Sequence, residues 1–199
     1  MSKRIDYYLV PQSPWAYMGH ARFVRMAQEH SATVRVLPMD LGQVFPVSGG
    51  LPLGKRAPQR QAYRLVELAR FRDALGLPLH VQPQFFPVAG DAAARLIIAV
   101  GQQDGTAASL NITGRILAAV WAQQRDIANQ LTLAELLAEA GLPAARLAQS
   151  GDADVLAVYA RNTQAAIDGG IFGAPSFVID GELFWGQDRL DFVERKLKS

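Results

Sequence analysis

Cysteine is absent from the chain, which has 199 residues. A structural disulfide, a thiolate zinc site and a redox-active thiol are therefore excluded. The chain also lacks a long apolar run, since its densest one, residues 97–100, is far shorter than the roughly 20 residues that cross a bilayer. Its beginning, Met1-Ser2-Lys3-Arg4, passes into an alternating strand pattern without an apolar signal segment. We therefore expect a cytoplasmic protein with no membrane partner.

Neither sign of charge dominates the composition. The 20 Lys and Arg residues are balanced by 18 Asp and Glu residues, and the net charge of +2 argues neither for nor against nucleic acid. No Arg-Gly or Lys-rich tract adds to that charge, so no nucleic-acid partner is expected. Half of the residues are hydrophobic, which is ordinary for a globular protein, and the chain is long enough to bury a full core.

Signatures of hydrolases and metal enzymes are missing as well. His20 follows Ser13 by seven residues on one predicted helix, a separation of roughly 10 Å along the axis, so it cannot deprotonate Ser13 directly. The sequence contains no Gly-x-Ser-x-Gly nucleophile elbow. No pair of His, Asp or Glu residues has the spacing of metal ligands, so we expect no metal site.

The best-defined local pattern lies near the C-terminus. Two short runs of β-formers, Ser176–Ile179 and Glu182–Trp185, flank Asp180-Gly181, and Asp-Gly between such runs is the strongest short-range signal for a hairpin. Ala174-Pro175 stands just before the first run. We expect a cis peptide bond there, because that geometry exposes the backbone of Ala174 to a peptide-like ligand.

A helix is predicted directly after this hairpin. Gly186-Gln187-Asp188 leads into an amphipathic pattern over residues 190–197. The start of that helix brings an acidic side chain and free backbone N–H groups close to Pro175. We therefore expect a loop, a hairpin and a helix start to converge on one spot.

The N-terminal part predicts a strand, a helix and a second strand. Residues 5–10 and 33–37 carry β-formers, and residues 13–30 have helical spacing, with Ser13 as a sound N-cap and Pro14 in the first turn. Two strands joined through a helix form a parallel pair with a right-handed crossover.

The middle of the chain changes character. Proline and glycine are concentrated in residues 44–58, which we predict to be a long loop. Helical patterns follow over residues 60–75, 91–103, 110–123, 131–140, 143–149 and 153–168. This helical region separates the two strand-bearing ends. We therefore predict a discontinuous α/β domain, residues 1–42 and 157–199, with an inserted helical domain over residues 43–156.

The order of elements in the discontinuous domain, with a proline opposite the start of the first helix, resembles the thioredoxin fold. Thioredoxin-like oxidoreductases begin that helix with Cys-x-x-Cys, whereas this chain has Ser13-Pro14-Trp15-Ala16. Disulfide exchange by this chain is therefore impossible. A helix N-terminus that stabilises a thiolate remains, so we infer that the thiolate arrives with a ligand.

Four segments resemble the glutathione-dependent branch of the DsbA-like superfamily, which joins 2-hydroxychromene-2-carboxylate isomerases and kappa-class glutathione transferases. They are residues 13–17, 121–127, 170–175 and 184–190. The last segment and the opening Ser13-Pro14 resemble the isomerases more than the kappa enzymes. The resemblance extends over nearly the whole chain. It implies an α/β fold in which a thioredoxin-like domain carries a large all-helical insertion.

The resemblance also implies a glutathione site. Ser13 would be the catalytic residue and hydrogen-bond the sulfur, and the backbone of Ala174 would pair with the cysteinyl unit. Gln187 and Asp188 would hold the γ-glutamyl end, with Asp188 facing its ammonium group. The full implied set is Ser13, Pro14, Trp15, Ala174, Pro175, Gln187, Asp188 and Arg189. Taken alone, Ser13 is better explained as a plain helix N-cap, Asp188 is equally well explained as a helix cap, and Pro175 fits a structural turn. Their joint occurrence favours the site.

The substrate side departs from the family pattern. The isomerases have a lysine near the position of Phe45, and the kappa enzymes have an asparagine near Gly50 or Leu51. Phe85 stands where an isomerase tyrosine is expected. The candidates on this side of the site are Phe45, Lys55, Arg56 and Phe85.

Arg56, Arg60 and Arg64 recur at four-residue spacing, within a basic cluster that also holds Lys55, Arg70 and Arg72. If the stretch is helical, like charges at this spacing repel, and an anionic ligand would offset that cost. A solvated face, with Glu67 and Asp73 as ion-pair partners, is the preferred interpretation.

The activity implied by the resemblance is glutathione-dependent cis–trans isomerisation of 2-hydroxychromene-2-carboxylate, or a related aromatic-degradation intermediate, to trans-o-hydroxybenzylidenepyruvate. The thiolate would add to the enone of the opened ring, the bond would rotate, and expulsion of the thiolate would give the product. A kappa-type transferase that releases the thioether, and a thiol-peptide binding module without turnover, stay open as alternatives. A small aromatic carboxylate is the expected partner, and a homodimer stays open.

Overall fold

The computed structural model describes residues 3–199. Its strands are β1 (Arg4–Leu9), β2 (Thr33–Pro38), β3 (Ser176–Ile179) and β4 (Glu182–Trp185). They form one mixed sheet in the order β2-β1-β3-β4. β1 pairs in parallel with β2 and antiparallel with β3, so both ends of the chain build the same sheet. The predicted parallel pair and the predicted hairpin are both confirmed.

Eight helices surround this sheet in the described part of the chain. They are α1 (Pro14–Glu29), α2 (Leu41–Ser48), α3 (Pro58–Leu75), α4 (Asp91–Trp121), α5 (Gln130–Glu139), α6 (Ala145–Gln149), α7 (Ala153–Asp168) and α8 (Leu190–Lys198). Six of them, α2 to α7, lie between β2 and β3 in the sequence, and the thioredoxin-like α/β fold with a large helical insertion is confirmed. The domain boundary between residues 156 and 157 falls inside α7, and this division stays a prediction. None of the helices described here is both long enough and apolar enough to cross a membrane.

The loop predicted over residues 44–58 is partly wrong, because α2 covers Leu41–Ser48 and a 3₁₀ turn covers Leu53–Lys55. Asp40 caps α2 by accepting a hydrogen bond from Gly42 N–H at 2.7 Å. Pro46 lies inside this helix, near its end, and its fixed φ suits a helical turn. The helix ends at Gly49, which has a φ of 75° that a glycine adopts without strain.

The two helical patterns predicted over residues 91–103 and 110–123 form the single long helix α4, which is interrupted at Gly105. That glycine has φ 84° and ψ 177°, far from helical values. Gly105 therefore lies in the gap that the sequence predicted between the two helices, residues 104–109.

The core joins α1 to the sheet through three buried aromatic rings. The ring of Tyr7 on β1 stacks on Phe177 of β3 with centroids 5.2 Å apart, and Phe23 of α1 lies 4.6 Å from Tyr7 and 4.7 Å from Phe177. Through Phe23, the middle of α1 is therefore packed against β1 and β3.

Asp180 and Gly181, between β3 and β4, have φ values of 52° and 80°. Both are positive, as a type I′ turn requires.

Candidate active site

Ser13 is the N-cap of α1 and is buried. Its Oγ accepts a hydrogen bond from the N–H of Ala16 at 3.1 Å, and its hydroxyl donates to the carbonyl oxygen of Ala174 at 3.3 Å. The capping role predicted for Ser13 is therefore confirmed. The second bond ties the start of α1 to the loop before β3.

One amide remains free in the first turn of α1. Pro14 has no N–H, Ala16 N–H donates to the Ser13 side chain, and Tyr17 N–H donates to the Ser13 carbonyl at 3.1 Å. Within residues 3–199, no acceptor takes the N–H of Trp15. The positive end of the helix dipole and this one donor therefore give the start of α1 its preference for an anion.

The loop before β3 is fixed from both sides. The Ala174–Pro175 peptide bond is cis, as predicted. The Ser176 hydroxyl donates to the Gly173 carbonyl at 2.8 Å, and Gly186 N–H donates to the Pro175 carbonyl at 2.9 Å. The backbone of Ala174 therefore has a defined position beside Ser13.

Gln187 is buried at the start of the 3₁₀ turn Gln187–Arg189 that leads into α8. Its Oε1 and its backbone carbonyl both accept hydrogen bonds from Nη2 of Arg22 on α1. This pairing directs Nε2 away from Arg22, and Nε2 is buried without an acceptor among the described residues. A methyl group on Gly19 would lie 2.8 Å from Cβ of Gln187, so the close approach of the turn to α1 requires glycine there. Gln187 thus has a spare hydrogen-bond donor that is shielded from solvent.

Asp188 and Arg189 form an ion pair with each other, with 2.7 Å between Arg189 Nη1 and Asp188 Oδ2. Both side chains are exposed, so this pair is weak and easily exchanged for a bound ligand. The Asp188 carboxylate therefore remains accessible to a ligand cation.

These elements border a cleft of about 850 Å³ between the start of α1, the Ala174 loop and the 3₁₀ turn, and α2 with α3. Aromatic rings form much of its surface. Trp15 meets Phe71 edge to face at 6.0 Å, and Phe172 meets Trp185 in the same manner at 4.8 Å. The volume falls within the ~300–1,000 Å³ typical of small-molecule sites.

The structure brings most of the predicted site residues together here. The cleft is lined by Trp15, Phe45, Arg56, Ala174, Gln187, Asp188 and Arg189. Ser13, Pro14 and Pro175 are buried and do not line it, although the hydroxyl of Ser13 contacts the lining residue Ala174.

Two substrate-side candidates lie away from the cleft. Lys55 is exposed at the end of the 3₁₀ turn Leu53–Lys55, and Phe85 is exposed in the loop before α4. It is the next residue, Phe86, that packs inward, with its ring 4.8 Å from Trp121. A propensity pattern cannot tell which of two adjacent phenylalanines turns inward, because that depends on the long-range packing of α4.

Apart from the exposed Lys55, the basic cluster divides into two groups. Arg70 and Arg72 pair with Glu67 and Asp73 at 2.8 Å each, so the solvated-face interpretation is confirmed for them. Arg56, Arg60 and Arg64 instead line the cleft, so the solvated-face interpretation does not extend to them. Of the cleft residues, Arg56 was already a substrate-side candidate. Sequence reasoning did not assign the following lining residues to the site: Arg60, Arg64, Tyr63, Phe71, Phe172 and Trp185. The four-residue spacing of Arg56, Arg60 and Arg64 was the sequence signal that could have placed these three arginines together in the site.

His20 takes no part in this cleft. Its Nε2 lies 2.9 Å from the Leu110 carbonyl oxygen and its Nδ1 lies 3.3 Å from the Tyr7 hydroxyl. Burial lowers the pKa of His20 to about 4, although the bond to Leu110 opposes that change. The ring is therefore neutral at pH 7, donating from Nε2 and accepting at Nδ1. Ser13 and His20 therefore form no catalytic pair, because both ring nitrogens of His20 are engaged elsewhere.

Known proteins of similar sequence identify the family of this chain. A family model described as a DSBA-like thioredoxin domain matches residues 4–198. The 2-hydroxychromene-2-carboxylate isomerase of Sphingobium xenophagum is 26% identical over 203 residues, covering 99% of this chain and 99% of that protein.

Solved structures show the same fold. A 2-hydroxychromene-2-carboxylate isomerase structure superimposes with a TM-score of 0.82 at 23% identity, covering 98% of this chain and 94% of that one. The cytosolic disulfide reductase DsbM from Pseudomonas aeruginosa, solved with GSH, has a TM-score of 0.70 at 21% identity, covering 98% of this chain and 100% of that one. Since the family model spans almost every residue, the chain belongs to the DSBA-like thioredoxin family.

Proposed function

We propose that this protein is a glutathione-dependent cis–trans isomerase of 2-hydroxychromene-2-carboxylate or a related aromatic-degradation intermediate, with trans-o-hydroxybenzylidenepyruvate as product. The observation that carries the proposal is the contact between Ser13 and Ala174 at a helix N-terminus that has no cysteine. A relative named 2-hydroxychromene-2-carboxylate isomerase aligns over 99% of the chain, which supports the isomerase part of the proposal.

The residues of the cleft fit glutathione. Gln187 Nε2 is a buried donor without an acceptor in the described chain, and the free N–H of Trp15 is a second donor. A tripeptide with two carboxylates and a thiolate supplies acceptors for both. The Asp188 carboxylate suits the γ-glutamyl ammonium, and the Ala174 backbone suits the cysteinyl unit. When bound, glutathione would supply a thiolate nucleophile that adds reversibly to an activated double bond.

Ser13 would serve this thiolate by changing its hydrogen-bond partner. Its hydroxyl has one proton, which is directed at Ala174. Donation to a sulfur anion therefore requires the hydroxyl to leave that carbonyl. The start of α1 carries about half a positive charge, which also favours the ionised thiol. Ser13 and the helix thus act together to keep the thiol ionised.

The aromatic residues of the cleft would hold the substrate. Trp15 and Phe71 offer ring faces and edges for a planar aromatic molecule. Seating the substrate against these rings orients its double bond and excludes water.

The test is an isomerisation assay with purified protein, followed by the absorbance of the benzylidenepyruvate. We expect turnover with glutathione and none with S-methylglutathione, which keeps the peptide contacts but cannot supply a thiolate. Equal rates without any thiol would refute the proposal. Stoichiometric consumption of glutathione into a thioether would instead identify a transferase, and binding of glutathione without turnover would identify a thiol-peptide binding module.

A further inference from the structure

Three arginines of the cleft have no acidic partner. Arg60 and Arg64 lie one turn apart on α3, and Arg56 precedes that helix, where its Nε donates to the Leu51 carbonyl at 2.8 Å. In residues 3–199, none of the three forms an ion pair with a carboxylate. We call Arg56, Arg60 and Arg64 the arginine wall.

The acidic residues that line the same cleft do not neutralise the arginine wall. Glu67 pairs with Arg70, at 2.8 Å, and Asp188 pairs with Arg189, at 2.7 Å. The arginine wall is therefore a concentration of uncompensated positive charge within a partly enclosed space, where charges act more strongly than on an open surface.

Arg64 is held in place by two aromatic rings. Its guanidinium carbon lies 5.0 Å from the centre of the Phe86 ring and 5.6 Å from the centre of the Trp121 ring. Burial, aided by the positive charge of Arg56, lowers the pKa of Arg64 to about 10, so the side chain is still charged at pH 7. A half-buried cation that stacks on rings and lacks a carboxylate is pre-organised to bind an anion.

Arg64 lies on the same face of α3 as Phe71, one of the aromatic residues of the cleft. Phe71 follows Arg64 by seven residues, two turns of α3, which places them on one face about 10 Å apart along the axis. Phe71 in turn contacts Trp15 at the start of α1. An aromatic molecule seated against Trp15 and Phe71 therefore lies within reach of the arginine wall.

We propose that the arginine wall binds the carboxylate of the substrate, and that Arg60 and Arg64 thereby select aromatic electrophiles that carry this group. The inference rests on the proposed function and deepens it. Glutathione also has a glycyl carboxylate that could reach these arginines. We assign the wall to the substrate because the donors that suit glutathione, Trp15 N–H and Gln187 Nε2, belong to other segments of the cleft.

The test uses trans-cinnamate and its neutral isostere trans-cinnamamide as probes, titrated without glutathione so that the result does not depend on turnover. We expect cinnamate to bind at least about tenfold more tightly than cinnamamide, as is typical of a charge-assisted hydrogen bond. Arg60→Met and Arg64→Met should each remove most of that preference while leaving cinnamamide binding unchanged. Raising the salt concentration should weaken cinnamate alone.

Matched variants keep the result interpretable. Arg72→Met, on the same helix but paired with Asp73 outside the cleft, should not change binding of either probe. Arg64→Met removes packing against two rings, so circular dichroism must show that it folds. Arg60 is exposed, and Arg60→Met tests the inference independently if Arg64→Met does not fold.

Equal affinity for the two probes in the wild-type protein would overturn the inference, as would unchanged cinnamate binding in Arg60→Met. Variants that lose glutathione affinity but keep cinnamate affinity would assign the wall to the glycyl carboxylate and also overturn it. If the probes discriminate as expected but glutathione supports no isomerisation, the proposed function fails and the carboxylate site stands.

Discussion

The hydroxyl of Ser13 donates a hydrogen bond to the carbonyl oxygen of Ala174 at 3.3 Å, joining residues that are 161 positions apart in the sequence. The same oxygen atom of Ser13 accepts the N–H of Ala16. Ser13 therefore caps α1 and fastens it to the loop before β3. In the catalytic role proposed for Ser13, a bound thiolate replaces Ala174 as the acceptor of its hydroxyl, and this role can be separated from capping by experiment.

Replacing Ser13 with alanine should change the chemistry of a bound thiol more than it changes stability. Loss of the cap costs about 1 kcal/mol of unfolding free energy. A hydrogen bond to an ionised acceptor is worth about 1.5–3 kcal/mol, so the titration midpoint of bound glutathione should rise by about 1–2 pH units. It should stay below that of free glutathione, because the helix N-terminus is still present. Thiolate absorbance against pH measures this midpoint.

Asn129→Ala is the matched control for this variant. Asn129 caps α5 by accepting a hydrogen bond from Leu131 N–H at 2.9 Å, so its loss removes a cap without touching the cleft. Its stability should fall by a similar amount, and the thiol titration should not move. An unchanged titration in Ser13→Ala as well would mean that Ser13 only caps the helix.

Replacing Arg22 with methionine should weaken glutathione binding. Arg22 fixes the amide of Gln187, and without it Nε2 of Gln187 is no longer held in one orientation. Loss of one ordered hydrogen bond, worth about 0.5–1.5 kcal/mol, corresponds to a loss of about 2–10-fold in affinity. Calorimetric titration of the variant measures the change.

Arg25→Met serves as the control for Arg22, since Arg25 lies on the same helix and its one ion pair among residues 3–199 is with Glu29, at 3.9 Å on the surface. Its affinity for glutathione should equal that of the wild type. If Arg22→Met and Arg25→Met both bind glutathione as tightly as the wild type, Gln187 does not contact the ligand through its oriented amide.

His20 should make the fold less stable in acid. Its pKa is about 4 in the folded protein and 6.5 in an unfolded chain, so the unfolded state binds the proton first as the pH falls. The stability is therefore complete above pH 6.5 and is lost between pH 6.5 and about 4, by up to about 3 kcal/mol. Urea unfolding of wild type and His20→Gln at pH 7.5 and 4.5 measures it. The same pH dependence in both proteins would assign the loss to other groups.

Local features of the fold followed from the sequence because they depend on neighbouring residues. The N-cap at Ser13, the turn at Asp180-Gly181 and the strands on either side of it needed only backbone preferences and hydrogen bonds within a few residues. The helix over residues 41–48 was missed because Pro46 suggested a loop, and a proline near a helix end removes only one backbone bond.

Features that join distant segments did not follow from the sequence. The spare donor on Gln187 exists because Arg22, 165 positions earlier, occupies the other end of the amide. Arg64 and Arg72 look equivalent in a basic helix, yet one stacks on Phe86 in the cleft and the other pairs with Asp73 at the surface. Only the packing of α3 against the loop before α4 distinguishes them.

Titration calorimetry with glutathione and with S-methylglutathione is the decisive test of the glutathione site. We expect both to bind in the cleft, because the contacts of Ala174, Gln187 and Asp188 are to the peptide rather than to the thiol proton. Glutathione should bind more tightly as the pH rises, since only its sulfur can ionise beside Ser13. Absence of binding by either compound at millimolar concentration would contradict the claim that the cleft is a glutathione site.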